Sequence, residues 1–261
     1  MRLPAFAVLL AMLTLVMLPV VARAPHVPPR VALDVPAGSD TPALTLWAWE
    51  RPEDLRFLRS TGIGIAPLIA TITLHGNDLQ LSPRRQPLEL PADAPVTAVV
   101  RLELDATRLP ALSREQGTRL ATMMVSLASA GTFRTLQVDF DAPRSARPFY
   151  RRLLADLRAA LPARARLSMT ALASWCLGDP WLDDLPVDEV VPMAFRMGAD
   201  ARGVRQHLAA GRDFQPVCRS AIGVATDEPL APFPADRHRY VFAASAWTPD
   251  RVRALYGVDL P

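Results

Sequence analysis

The stretch Leu136-Gln137-Val138-Asp139-Phe140-Asp141 decides how this chain reads. Apolar and polar residues alternate along it, and a strand sends successive side chains to opposite faces. Leu136, Val138 and Phe140 share a face suited to packing on helices, while Gln137, Asp139 and Asp141 share the other. In a barrel that second face is the lumen, where a carboxylate has to be paired or hydrogen-bonded. Residues 96–105 repeat the pattern. Val100, Leu102 and Leu104 point one way; Arg101, Glu103 and Asp105 point the other. An ion-pair network with Arg101 neutralising Glu103 and Asp139 is one reading of this face, and a functional site at the strand ends is the other.

Working outward, similar strands are expected at Ala43–Trp49, Gly62–Leu68, Leu167–Ala173, Glu189–Phe195, Ala221–Thr226 and Tyr240–Ala246. Ile69–Leu74 and Leu79–Ser82, joined by His75-Gly76-Asn77-Asp78, read as a hairpin. Helices are expected from Glu50 to the stop at Gly62, from the capping box Ser113-Arg114-Glu115-Gln116 to about 130, and over 148–161. Two more follow, at about 201–210 and from Thr248-Pro249-Asp250 onward. Strands alternating with helices argue a parallel α/β fold, and eight such units predict a (β/α)8 TIM-barrel-like domain over 43–261. It is irregular, with the hairpin in place of helix two and a weak helix seven. The runner-up, an open doubly wound sheet, lacks its phosphate loop, because Gly62-Ile63-Gly64 has no third glycine.

All 29 basic residues of this 261-residue chain are arginine. The absence of Lys excludes Schiff-base and P-loop lysine chemistry. Residues 1–24 carry a long apolar run ending at Ala22-Arg23-Ala24, read as a signal peptide or an uncleaved membrane anchor. A Pro-rich linker over 25–42 follows. Arg2 and Arg23 belong to that leader, so the remainder is close to neutral although the sequence pI is near 9.4. No arginine stripe suggests nucleic acid. The expected location is periplasmic or secreted, or anchored in the inner membrane with the domain in the periplasm. Cys176 and Cys218 fall near opposite ends of the expected fold, so two separate thiols are favoured over a disulfide. His26, His75, His207 and His238 are isolated, and neither a metal site nor a cofactor is expected.

The ends of the strands collect the chemistry-bearing residues. Trp47, Trp49, Trp175 and Trp247 offer flat rings for stacking on sugars, although core packing accounts for any one of them. Met193 and Phe195 precede Arg196, read as an anion-binding residue or an ion-paired loop residue. Asp227 and Glu228 follow strand seven.

The runs LQVDFDA, LSMTALASWC, VDEVVPMAFRMG and GVATDEP resemble an uncharacterised bacterial family known as domain of unknown function 3142. More distantly, LQVDFDAP and MAFR resemble chitinase-type glycoside hydrolase barrels, whose strand-four motif reads D-G-x-D-x-D-x-E. That resemblance puts Asp139 and Asp141 on the two later aspartates of the motif and Pro143 on its catalytic Glu. It also puts Met193, Phe195 and Arg196 where the family carries Met-Tyr-Asp. The family's acid and its Tyr are therefore absent. Placement at strand ends assigns Asp141 as general acid and Glu228 as nucleophile or base, with Asp139 beside them and Glu103 and Asp227 among the binding residues. The expected function is an exported glycoside-hydrolase-like barrel acting on an envelope or extracellular polysaccharide. A non-catalytic glycan-binding or structural envelope protein of the same fold is the alternative.

Overall fold

The computed structural model describes residues 42–258 and 260, apart from 130, 132, 229–232 and 235. The leader and most of the linker lie outside the described residues. Eight parallel strands form a closed barrel: β1 (Leu44–Ala48), β2 (Gly64–His75), β3 (Thr97–Leu104), β4 (Thr135–Asp139), β5 (Arg166–Leu172), β6 (Glu189–Met193), β7 (Ala221–Ala225) and β8 (His238–Phe242). Closure comes from β1, which pairs with β8 through Leu44–Leu46 and with β2 through Thr45–Ala48. This is the irregular (β/α)8 fold that the alternating runs predict.

The helical layer is incomplete in an ordered way. Helices α1 (Arg114–Ser129), α2 (Arg147–Ala160), α3 (Ala201–Ala209) and α4 (Pro249–Tyr256) follow β3, β4, β6 and β8. The capping box is present: Ser113 Oγ accepts from the Gln116 amide at 3.1 Å, and Gln116 Oε1 accepts from the Leu112 amide at 2.9 Å. Gln116 Nε2 also donates to the carbonyls of Gly76 and Asp78, which docks α1 on the hairpin turn. The hairpin stands where helix two would be, Asp78–Pro83 running antiparallel to the outer half of β2.

Three expectations are corrected. No α-helix follows β1, only a single 3-10 turn over Arg56–Leu58. Glu53 is drawn instead into a buried bond with Arg51 Nε at 2.7 Å, and it accepts the Trp247 amide at 2.9 Å. Glu53–Asp54 then pairs with Leu88–Glu89 as a short parallel ribbon. Strand eight begins two residues earlier than expected and ends at Phe242, because His238 and Arg239 continue the ladder with Ala221 and Ile222. Cys176 and Cys218 are joined in a disulfide with Cα atoms 5.9 Å apart, not two thiols. The segments after β5 and before β7 run as short 3-10 turns, and those turns bring the two cysteines together.

The alternation read from the sequence sorts the core into two parts. Outward residues such as Leu46, Val100, Leu102, Val138 and Met169 pack against Leu120 and Met124 of α1 and Phe149, Leu153 and Leu157 of α2. Inward, Trp47, Leu68, Val99, Val191, Phe195, Tyr240 and Phe242 fill the lumen. Gly223 of β7 makes room there, since a Cβ would stand 2.7 Å from Met193 Sδ and the thioether would have to move.

At the N-terminal end the lumen is polar and fully buried. Glu189 Oε1 is 2.9 Å from His238 Nδ1, and Oε2 accepts from Tyr240 at 2.8 Å and from Ser168 at 3.2 Å. Gln137 Nε2 donates to Ser168 Oγ, and His238 Nε2 lies 2.8 Å from Thr45 Oγ1. Burial alone would raise the Glu189 pKa, but the bonds from His238 and Tyr240 outweigh it and hold the carboxyl below its ordinary value. A depressed carboxyl contributes stability that is complete above the ordinary glutamate range and lost as pH falls through the folded value.

Two outcomes follow for stability. Glu189→Gln is expected to cost about 3 kcal/mol near pH 7, and its melting temperature should fall less on acidification than that of the unsubstituted chain; parallel melts from pH 7 to 3 check this. Replacing Cys176 and Cys218 together by Ser opens a loop whose closure is worth about 4 kcal/mol, read as a lower urea midpoint that added reductant does not lower further.

Candidate functional site

The C-terminal ends of β3 and β4 open onto a cleft of about 480 Å3 lined by Arg101, Glu103, Leu104, Asp139, Asp141 and Pro143. The strands place these side chains directly. Arg101 pairs in register with Asp139 across β3 and β4, so both side chains point inward at the same level. Thr170 of β5 completes the group, its hydroxyl donating to Asp139 Oδ1 at 2.8 Å.

Arg101 is shared. Its Nε donates to Glu103 Oε1 at 3.1 Å, and its Nη1 lies 3.6 Å from Asp139 Oδ2. The neutralising network considered from the sequence is therefore present, but it is uneven. Glu103 holds the guanidinium by a hydrogen bond, and Asp139 only by proximity. Burial raises the Asp139 pKa; the Thr170 bond and Arg101 act against it, and Asp141 and Glu103 add to it. The net shift is upward. Asp141 is exposed and stands two residues past the end of β4, lining the same cleft as Asp139, with no ion pair or side-chain hydrogen bond among the described residues. A partly buried acid of raised pKa beside an exposed carboxylate can divide acid and base roles between two groups.

The other residues singled out from the sequence lie elsewhere. Glu228 Oε1 accepts the Arg196 amide at 2.8 Å and its Oε2 is 3.6 Å from Arg205. Asp227 pairs with Arg196 at 3.3 Å. Neither acid lines the Asp139 cleft. Arg196, with φ at 48°, takes a left-handed turn that joins the ends of β6 and β7 through these bonds. Trp47 is wholly buried, its ring 4.4 Å from Phe242 and 5.5 Å from Trp49. Trp175 and Trp247 are 5% and 3% exposed, both in the outer core. Arg147 lies over the Trp175 ring, and the Trp247 indole donates to the Trp47 carbonyl. Of these four tryptophans only Trp49 retains appreciable exposure. Met193 is half-buried against Gly223.

Sequence reasoning missed two features. The Glu189–His238–Tyr240 cluster was legible only as alternation, since its members lie 49 and 51 residues apart and meet across β6 and β8. Arg84 is the second. Its guanidinium donates to the carbonyls of Ala48, Trp49, Leu68, Arg51 and Gln86. It thereby ties the C-terminal end of β1 to Leu68 within β2. Burial pulls its pKa down, with Glu50 and Glu53 opposing.

Among the described residues no group of three His, Cys, Asp or Glu side chains is placed to hold a metal ion. No described helix is long and apolar enough to cross a membrane.

A family model described as a domain of unknown function, DUF3142, matches residues 92–194. That segment runs from the approach to β3 through β6, and it contains Arg101, Glu103, Asp139, Asp141 and Thr170. The family resemblance carried by the motifs is thereby borne out. No curated protein matches. Among solved structures, the crystal structure of the Bacillus cereus spore cortex-lytic enzyme SleL is similar at 15% identity and a TM-score of 0.44. The likeness covers 73% of this chain and 52% of that one, so this chain spans about half the length of that enzyme.

Arg84→Lys is expected to destabilise the fold by about 2 kcal/mol or more, because one ammonium cannot reach carbonyls on several sides and leaves buried acceptors unpaired. A urea titration against the unsubstituted chain measures the loss.

Proposed function

We propose that this barrel binds a glycan in the β3–β4 cleft and hydrolyses it with Asp139 as general acid and Asp141 as the second carboxylate. The observation that carries the reading is Asp139: a largely but not fully buried aspartate with a raised pKa, opening onto a cleft at the C-terminal face of a parallel barrel. Glycoside hydrolysis asks for one protonated and one ionised carboxyl across the scissile bond. Asp139 suits the first role by burial, and Asp141 the second by exposure. Glu228, assigned as the base from strand-end placement, is occupied by the Arg196 amide and Arg205. It serves this reading as a support for the rim.

The substrate we propose is an envelope or extracellular polysaccharide. The Cys176–Cys218 bond supports this, because disulfides persist in oxidising compartments. The apolar leader read from the sequence agrees with export. Trp49, half-exposed beside the lumen aromatics, is the ring available to a sugar face.

A second reading, binding without cleavage, is favoured by one residue. Pro143 occupies the position of the chitinase-type acid and forms part of the cleft wall, so turnover depends wholly on Asp139 and Asp141.

Asp139→Asn is expected to abolish release of reducing ends from a polysaccharide that the unsubstituted protein cleaves, by about 100-fold or more, with glycan binding retained. Reducing-end assays on a panel of bacterial envelope glycans, with binding measured by calorimetry, check it. Binding with no turnover by the unsubstituted protein selects the second reading.

A further inference from the structure

The cleft contains one guanidinium for three carboxylates, and the way it is shared is specific. Arg101 and Glu103 stand two residues apart on one strand, so both face the same side. The Arg101–Glu103 contact is a hydrogen bond of 3.1 Å, whereas Arg101 stops 3.6 Å short of Asp139. The two oxygens of Asp139 differ in consequence. Oδ1 is taken by the Thr170 hydroxyl, while Oδ2 receives no hydrogen bond from the described side chains.

We propose that Glu103 is a positioning residue that acts on Asp139 through Arg101: by holding the guanidinium, it leaves Asp139 Oδ2 free to carry the transferable proton. This deepens the hydrolase reading and rests on it for its use, though not for its test. The charged and titratable groups facing Asp139 are Arg101 and Glu103 from β3 and Asp141 from the segment just after β4; Thr170 from β5 contributes its hydroxyl, and Tyr150 from α2 lies on the opposite face, its own hydroxyl donating to the Val138 carbonyl. Among them only Arg101 is a cation, so against the effect of burial its placement bears on how readily Asp139 loses its proton.

The geometry makes opposite predictions for the two partners. Freed by Glu103→Gln, the guanidinium can close on Asp139 and stabilise the carboxylate. Removed by Arg101→Met, it leaves Asp139 with only Thr170 to favour ionisation. The test is a carboxyl carbon-13 titration of the full chain, following the resonance that Asp139→Asn removes. Glu103→Gln is expected to lower the Asp139 midpoint by about one pH unit, and Arg101→Met to raise it by a similar amount. In an Arg101→Met background, Glu103→Gln should shift the midpoint by less than half as much. An equal shift in both backgrounds overturns the proposal, since Glu103 would then act by its own charge. An unmoved or raised midpoint in Glu103→Gln overturns it as well. None of these readings needs turnover. Loss of the hydrolase assignment, seen as glycan cleavage that survives Asp139→Asn, is therefore a separate result.

Discussion

Closure of eight strands leaves a narrow lumen whose inward side chains have no solvent to turn to, and the buried Glu189 carboxylate answers that constraint for half of the barrel. Three donors, from His238, Tyr240 and Ser168, converge on its two oxygens. They come from β5 and β8, while Glu189 opens β6. Thr45 on β1 continues the chain through His238, and Gln137 on β4 continues it through Ser168. One charge is thus anchored to strands on both sides of the closure point. Each group is costly to bury alone and inexpensive when all are present, so the network favours one arrangement of strands over near alternatives.

Above this polar floor the lumen changes character. Trp47, Phe195 and Phe242 form a packed aromatic layer, with Trp49 at its edge. Above and beside it, the Asp139 carboxyl lies between Thr170 and Arg101 at the rim. The two acids of the lumen live under different rules. Glu189 is surrounded by donors and held ionised; Asp139 has one good donor, a distant cation and two like charges nearby. The same carboxyl chemistry yields an acid held below its ordinary pKa at one end and one raised above it at the other. The number of converging donors sets the difference.

Much of this was legible in the chain, and the boundary has physical causes. Strand positions were readable because inside-outside alternation is imposed locally, residue by residue; Val138 and Asp139 landed on the faces that pattern assigns. Helices α1 to α4 were readable from periodicity and caps such as Ser113 and Thr248. The segment after β1 misled because its acidic, Pro-containing start resembles a helix N-terminus, whereas a partner almost two hundred residues away, Trp247, claims the Glu53 carboxylate. Arg84 stayed hidden for the same reason: nothing in its local sequence reveals the five carbonyls that its guanidinium meets. Trp175 and Trp247 ended strands by pattern but lie under Arg147 and against Trp47 by packing. The cysteines met because two short turns replace a regular helix, a local economy that hydrophobic period does not encode.

The arginine clamps give the molecule an unusual charge inventory. Arg51, Arg84, Arg151, Arg158 and Arg251 each spend their donors on backbone carbonyls at turns and strand ends. A guanidinium is a rigid fork of five donors, so one side chain can serve several carbonyls at once. With no lysine anywhere in the sequence, every side-chain cation outside the histidines is permanent. The protein's response to pH is therefore written almost entirely in its carboxyls, its few histidines and its tyrosines. To reagents that seek amines, the folded domain offers no side chain at all: coupling, crosslinking or immobilisation through ε-amino groups would leave it untouched.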